Sequence, residues 1–378
     1  MRKEKIRVVF ALPSFVVGGT ERQLLKQMRV YDYEMFDVSL FTFFEYPDKK
    51  TLYHQLPPEV KVVRLTFTSN LDFAMWRKLF ASLRRAKPHV VVSSAFWANT
   101  IFRLLKPFFG YTSITREHNT YIEKNFFQKV IDHVLSYMSY RIIAISAVVA
   151  EFASKQACIP LSKFLVILNG VDVDEIEHFR VGSEEVVARL RAELGLTKEK
   201  KIVLNVGRLK PQKNQALLIE GFLTFHKENP EYVLVILGDG IERSNLERLL
   251  SLRGGLPFVK LLGHRDDAYA FYAAADIFVL SSRHEGGPNA VLEAIAFGLP
   301  VLSTRIAGVN EYIREGINGF FIEHTPESVA TTLAHVAHLS VEKRNSVAQE
   351  AQKTAKGFSI EKVAEKYMNV LEEAAENI

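Results

Sequence analysis

An α/β chain built as two parallel, doubly wound sheets in series is what the sequence predicts, on three observations. Short apolar runs of strand length alternate with helix-length amphipathic runs, the pattern of parallel strands joined by crossover helices. That pattern proceeds as far as Asn169-Gly170 and then begins again. The chain has 378 residues, too many for one ordinary core and enough for two.

Taken in order, the first half offers strands at 7–12, 37–42, 60–64, 90–93, 113–116 and 141–145, with helical patterns between them such as 20–29 and 72–86. The opening run, charged and then apolar, has the look of a leader. It lacks a small-residue cleavage site and leads straight into Gly18-Gly19-Thr20-Glu21, so it reads as a first buried strand and a glycine loop. The second half offers strands at 201–206, 232–237, 259–262, 277–280, 300–303 and 319–322, and helices at 214–229, 241–252, 266–274 and 288–297. Residues 1–168 are expected to form one Rossmann-like domain and 169–358 a second, with the linker near 168–174. One more helix follows at 359–375. Ligands of such sheets bind beyond the carboxyl ends of the strands, and two such domains would face one another across a cleft.

Composition narrows the class. With 48% hydrophobic and 24% charged residues, the chain is that of a soluble globular protein, and no apolar run is long enough to span a bilayer. The single cysteine, Cys158, excludes an internal disulfide and a cysteine-based zinc site and fits a reducing, cytoplasmic compartment. The net charge of +5 hides an asymmetry: residues 1–168 hold 24 Lys+Arg against 13 Asp+Glu, a net of +11, and the remainder is at −6. A basic half calls for an anionic partner. No nucleic-acid-binding motif is present, so nucleic acid is not expected.

The residues that carry chemistry cluster at strand ends. Glu285 precedes a Gly286-Gly287-Pro288 bend; a helix follows, with Glu293 inside it and Gly298 and Pro300 as its stop. The first turn of that helix is expected to offer N–H groups at Asn289, Ala290 and Val291, which suit a phosphate. Glu285 would lie on one side of that phosphate and Glu293 on the other. A phosphate flanked by two hydroxylated groups describes a sugar nucleotide. Arg208 and Lys213 share the loop after the strand at 201–206, where a forked guanidinium and a point charge suit a diphosphate. The loop lacks the Gly-Lys-Ser/Thr of a Walker motif. Gly18-Gly19 opens the first helix and lets backbone approach an anion. His118 ends a strand, where Glu117 would either orient its imidazole or cap the next helix. Gly238-Asp239-Gly240 and Gly263-His264-Arg265 are tight turns after two further strands. Asp172 and Asp174 form an Asp-x-Asp with no supporting carboxylate or histidine cluster, so they read as structural, and no metal is expected.

The segment from Glu285 to Glu293 resembles the Glu-x7-Glu motif of retaining GT-B glycosyltransferases of family 4, also called glycosyl transferases group 1. Gly207-Arg208-Leu209-Lys210-Pro211-Gln212-Lys213-Asn214 resembles that family's Gly-Arg-Leu-x-x-x-Lys-Asn, and the glycine loop, His118, the 169–172 linker and Gly238-Asp239-Gly240 match in order. The resemblance implies the GT-B fold, a last helix that crosses back to the first domain, and transfer of a sugar from a nucleotide diphosphate, UDP by family frequency, without a cofactor. It implies that Glu285 and the backbone after it hold the donor sugar and that Glu293 holds the ribose. Arg208 and Lys213 would neutralise the diphosphate, with Gly18 and Gly19 near it. His118 would touch the sugar, and Gly238, Gly263 and His264 would line the base. The acceptor would bind the basic half and is expected to be a lipid-linked or surface glycan at the inner face of the cytoplasmic membrane. Residues 72–87 support that expectation: Phe73, Trp76, Phe80 and Leu83 fall on one helical face among Arg77, Lys78, Arg84, Arg85 and Lys87, a composition suited to an anionic membrane surface or, alternatively, to core packing. Residues 106–111 add aromatic surface. A sugar-nucleotide epimerase and a non-catalytic sugar-nucleotide binding protein are the alternative functions.

Overall fold

The computed structural model describes residues 4–69, 72–118, 124–306 and 308–377. The first part of the chain runs β1 (Ile6–Leu12), α1 (Gly19–Arg29), β2 (Phe36–Thr42), β3 (Lys61–Arg64), α2 (Phe73–Ala86), β4 (Val90–Ser94), α3 (Phe96–Phe109), β5 (Thr112–Glu117), α4 (Phe126–Ser136), β6 (Ser139–Ala144), α5 (Ala147–Ala157) and β7 (Phe164–Val166). The second runs α6 (Val173–Val181), α7 (Glu184–Glu193), β8 (Lys201–Val206), α8 (Gln215–His226), β9 (Tyr232–Leu237), α9 (Arg243–Arg253), β10 (Val259–Leu261), α10 (Ala268–Ala274) and β11 (Ile277–Leu280). It continues with α11 (Asn289–Ala296), β12 (Val301–Thr304), β13 (Gly319–Ile322), α12 (Pro326–Ala337), α13 (Val341–Gly357) and α14 (Ile360–Ala375).

The strands form two all-parallel sheets, ordered β3-β2-β1-β4-β5-β6-β7 and β10-β9-β8-β11-β12-β13. Strand order reverses beside β1 in the first and beside β8 in the second, the switch points at which open α/β sheets bind ligands. The chain divides into two compact units. Unit 1 is Met1–Gly170 with Ile360–Ile378, and unit 2 is Val171–Ser359.

In unit 1 the run IRVVFAL alternates between two buried faces. Val8, Phe10 and Leu12 pack with α1 and α14, whereas Val9 and Ala11 pack with α2 and α3. The inward stripe of α14, Ile360, Val363, Ala364, Tyr367 and Leu371, follows helical spacing and completes the first of these cores. In unit 2 the corresponding core joins β8, β9 and β11 to α8, α9 and α12.

Of the two alternatives open for 72–87 the structure shows core packing, and the aromatic surface expected in 106–111 holds in part. The apolar face of 72–87 is turned into the protein. Trp76 lies 5.2 Å from Phe67, Phe80 lies 5.5 Å from Phe109, and Leu79 and Leu83 are buried, which leaves only Phe73 of that face outside. In 106–111, Phe108 is exposed, but Tyr111 is fully buried and donates to the Phe102 carbonyl at 2.6 Å. The short edge strand β7 lay below the sequence signal.

The helix layer of unit 1 holds a buried charge cluster. The Arg103 guanidinium (α3) meets the Asp132 carboxylate (α4) at 2.5 Å; Lys124 meets Asp132 at 2.6 Å and Glu117 at 3.2 Å. Arg103 and Asp132 are almost fully buried, so removing one partner strands the other's charge. Asp132→Ala is expected to destabilise unit 1 by about 3–5 kcal/mol, read as the midpoint of denaturant unfolding. A loss under about 1 kcal/mol would mean that water reaches the Arg103 guanidinium.

Candidate active site

The carboxyl edge of the second sheet gathers most of the residues the sequence singled out. The loop after β8 carries Arg208 and Lys213, the loop after β9 Gly238, the loop after β10 Gly263 and His264, and the loop after β11 Glu285 to Pro288. These loops are locked to one another through backbone. Gly238 N–H donates to the Gly263 carbonyl at 2.7 Å, and Leu209 N–H to the Asp239 carbonyl at 3.0 Å. Gly238 has φ +133°, and a Cβ there would stand 2.0 Å from the Gly207 carbonyl oxygen, so only glycine lets the two loops meet. Gly308 does the same behind the acidic loop, with φ +83° and its Cβ position 2.7 Å from the Gly286 oxygen.

At the centre, Lys213 Nζ contacts Glu285 Oε1 at 2.5 Å. Glu285 is 7% exposed, and its Oε1 also accepts from Ser282 Oγ at 2.7 Å. Gln212 Nε2 donates to the His284 carbonyl at 2.8 Å, while the Gln212 carbonyl accepts from Arg283 N–H at 2.8 Å. A 3₁₀ turn, Pro211–Lys213, followed by Asn214 in the left-handed region, aims the lysine at the acidic loop. The backbone of Arg208 is pinned by Gln215 Nε2 at 3.2 Å, and its side chain is exposed. Gln212, Ser282 and Gly308 escaped the sequence reading. Gln212 and Ser282 each lie within three residues of a motif residue; nothing marked Gly308.

Pro288 is the N-cap of α11, one residue ahead of its expected place. The expected trio of offered N–H groups is corrected at Val291, whose N–H bonds the Pro288 carbonyl at 3.1 Å. Asn289 and Ala290 open the helix, and the Ala290 carbonyl accepts from Tyr272 Oη at 3.3 Å. Glu293 lies one turn further in, half-buried; the pKa of half-buried Tyr269 is raised by desolvation first and then by the charge of Glu293. The Tyr269 hydroxyl donates to Glu175 at 3.2 Å. His264 contacts Asp266 at 3.0 Å and is exposed. Asp172 accepts from Glu175 N–H at 2.9 Å as the N-cap of α6, which accounts for the first carboxylate of the Asp-x-Asp.

Three of the predicted residues belong to unit 1. Gly18 caps α1 in extended backbone and Gly19 begins it; neither has the left-handed φ that demands glycine. Four residues on, buried Gln23 holds the linker at two points, donating to the Gly170 carbonyl at 2.7 Å and accepting its N–H at 3.1 Å. His118 follows β5. Burial, with the Arg116 guanidinium, holds its imidazole well below its ordinary pKa and therefore neutral, and its Nε2 has no hydrogen-bond partner among the described residues. Glu117 pairs with Lys124, while Asn125 caps α4, so Glu117 neither orients the imidazole nor caps the helix. Asn119 lies outside the described residues. At the carboxyl edge of this sheet a cavity of about 290 Å³ is lined by Phe15, Phe44, Tyr46, Tyr53, Lys49 and Arg64, among others.

Comparison with known proteins bears on the family and the fold. Residues 186–354 match Glycosyl transferases group 1 and residues 17–175 match Glycosyltransferase Family 4. The chain is 36% identical over 193 residues to the lipopolysaccharide core biosynthesis glycosyltransferase LpsE of Rhizobium meliloti, a match over 50% of this chain and 55% of that one. It therefore spans about half of that relative's length. It is 26% identical over 336 residues to the UDP-Gal:alpha-D-GlcNAc-diphosphoundecaprenol alpha-1,3-galactosyltransferase of Escherichia coli, covering 85% of this chain and 84% of that one. Among solved structures, a glycosyltransferase from Rickettsia africae ESF-5 superposes over the whole of both chains with TM-score 0.87 at 19% identity. HepE of Anabaena in complex with UDP superposes over 97% of this chain and 100% of its own with TM-score 0.82 at 20% identity, and both likenesses bear on the fold alone. With two parallel sheets in series, the acidic loop seated on the Arg208–Lys213 loop, and both halves matched, the chain belongs to the family-4, group 1 glycosyltransferases of the GT-B fold.

Proposed function

We propose that the protein transfers a sugar, with retention of anomeric configuration, from a nucleotide-diphosphate donor to a hydroxyl of a lipid-linked or surface-glycan acceptor. The observation that carries this is the Lys213–Glu285 pair at the mouth of α11, with Arg208 on the same loop. A cation, a helix N-terminus and a carboxylate at one sheet edge match a diphosphate with a polyol beside it. Arg208, Lys213 and the backbone at Asn289 and Ala290 neutralise the charge that grows on the departing diphosphate, so that no metal is required. Glu285 and the Gly286-Gly287-Pro288 backbone seat the sugar. Glu293 holds the ribose, while Gly238, Gly263 and His264 line the base. The family resemblance adds Gly18 and Gly19 for the phosphates and His118 for the sugar. UDP is the preferred nucleotide, which the UDP complex of HepE supports, and the transferred group is a hexosyl or N-acetylhexosaminyl unit.

The acceptor is assigned to unit 1. The cavity of about 290 Å³ offers flat aromatic faces to a sugar ring and two cations, Lys49 and Arg64, to an anionic group. Arg64 also pairs with Glu45 at 2.9 Å. The names of the relatives support a lipid-linked or lipopolysaccharide acceptor, and on that support we assign the reaction to the inner face of a cytoplasmic membrane.

Melting and nucleotide release with UDP-, GDP- and ADP-sugars test the donor reading. One donor is expected to stabilise the protein and to be slowly hydrolysed, and Arg208→Ala or Glu285→Ala to lower that turnover by about 10²-fold or more. If none of these donors raises the melting temperature, the reading fails. Glu293→Ala is expected to weaken UDP binding by about tenfold to a hundredfold, measured by calorimetry, with its larger effect on affinity than on turnover. An unchanged affinity would remove Glu293 from the ribose. The depressed pKa of His118 means that donor turnover has no acid limb near about pH 6.5. Such a limb, abolished in His118→Ala, would show that the imidazole titrates as an ordinary one.

A further inference from the structure

Helix α4 turns its apolar side outward. Phe126, Phe127, Val130, Ile131, Val134 and Tyr137 lie on one arc and are 36–75% exposed. The opposite arc, Asp132, Leu135 and Ser136, is buried, and Asp132 holds it to Arg103 of α3. Leu104 (50% exposed) and Phe108 (78% exposed) are further exposed apolar residues, on neighbouring α3. Single exposed apolar residues are ordinary; an unbroken stripe along one helix marks a surface that something covers.

The charge around this face selects its partner. Residues 72–163 hold 13 Lys+Arg against 5 Asp+Glu. Of the acidic residues described there, Asp72 caps α2, Glu117 and Asp132 are paired with Lys124, and Glu151 is paired with Lys155. Lys129 flanks the stripe on α4 itself. Arg84, Arg85 and Lys87 are exposed at the end of α2, which the Phe80–Phe109 contact sets beside the end of α3. An apolar centre with a basic margin is the composition of a helix that lies in the interface of an anionic membrane. Two copies of the chain brought together on this face would set one basic margin against the other. With 11 residues, α4 is about 16 Å long at 1.5 Å per residue, too short to cross a bilayer, so it lies along one.

We infer that the outer face of α4, with the adjoining end of α3, is the surface by which the protein docks on a bilayer rich in anionic lipid. The inference gives a place in the fold to the membrane-face acceptor proposed above. Its test uses no transfer reaction, so either reading can fail while the other stands.

The test is flotation of the full chain with vesicles of phosphatidylcholine alone or with phosphatidylglycerol, at low and high salt. Wild-type protein is expected to float with the anionic vesicles at low salt and to be released by high salt. F126S/F127S/V130N is expected to lower the partition coefficient by about 30-fold or more. R84Q/R85Q/K87Q is expected to lower it by about fivefold per charge where the residue reaches the surface. Neither variant touches the donor site, so an unchanged melting temperature and an unchanged response to UDP serve as controls for folding. Failure of the wild type to float with anionic vesicles overturns the inference, as does undiminished flotation of F126S/F127S/V130N. A wild-type dimer in sedimentation velocity that the same variant converts to monomer, without vesicle binding, would assign the face to a second copy and overturn it too.

Discussion

The ion pair between Lys213 and Glu285 is the constraint on which the site depends. Glu285 sits at the end of a strand with almost no exposure, and a carboxylate in that position is tolerated only with partners. Lys213 supplies charge, Ser282 a hydroxyl, and the Gln212 amide holds the neighbouring backbone. Because Lys213 arrives from the loop after β8 and Glu285 from the loop after β11, the pair also fixes the spacing of two loops that flank the switch point of the sheet. The close backbone contacts at Gly238 and Gly308 seat the next loop on either side, since a side chain on either would push it off its neighbour. In the proposed reaction the lysine shares its charge between the carboxylate and the incoming diphosphate. Glu285 keeps its serine partner throughout.

Much of this was legible from sequence, and the reason is periodicity. Strands buried on both faces, such as 201–206 and 232–237, are largely apolar runs bounded by turn residues, and their ends fall where expected. The loops that carry Arg208, Lys213, Glu285 and Glu293 were legible because motif spacing survives where side-chain geometry is invisible. The hidden parts were those decided by three-dimensional contact. The pairing of Lys213 with Glu285, 72 residues apart, leaves no mark on the sequence. Nor does the need for glycine at position 308, which arises from the Gly286 carbonyl pressing on it. Glu117 had two local partners to choose between and took neither, because Lys124 was nearer in space.

The amphipathic helices of unit 1 are decided by contact in the same way. Both α2 and α4 have an apolar face, and sequence cannot say toward which neighbour such a face is turned. In α2 the rings of Trp76 and Phe80 find Phe67 and Phe109, and the face is consumed by the core. In α4 the polar arc does the inward packing instead, because Asp132 must reach Arg103, and the apolar arc is left outside. A buried ion pair thus decides which way a helix is rolled.

Helix α14 belongs to unit 1, although the whole of unit 2 separates it from the other residues of that core. Its Val363, Tyr367 and Leu371 fill a face that β1 and α1 leave open from the start of synthesis. Unit 2, contiguous in the chain, has all its strands and helices available before residue 360 leaves the ribosome. Unit 1 must wait for α14 to emerge, with Phe10 and Leu24 covered only at that point. A ribosome that stops short of α14 therefore releases a chain whose second half can fold and whose first half offers bare apolar surface to chaperones and proteases. Translation through α14 is in this way coupled to survival of the first half.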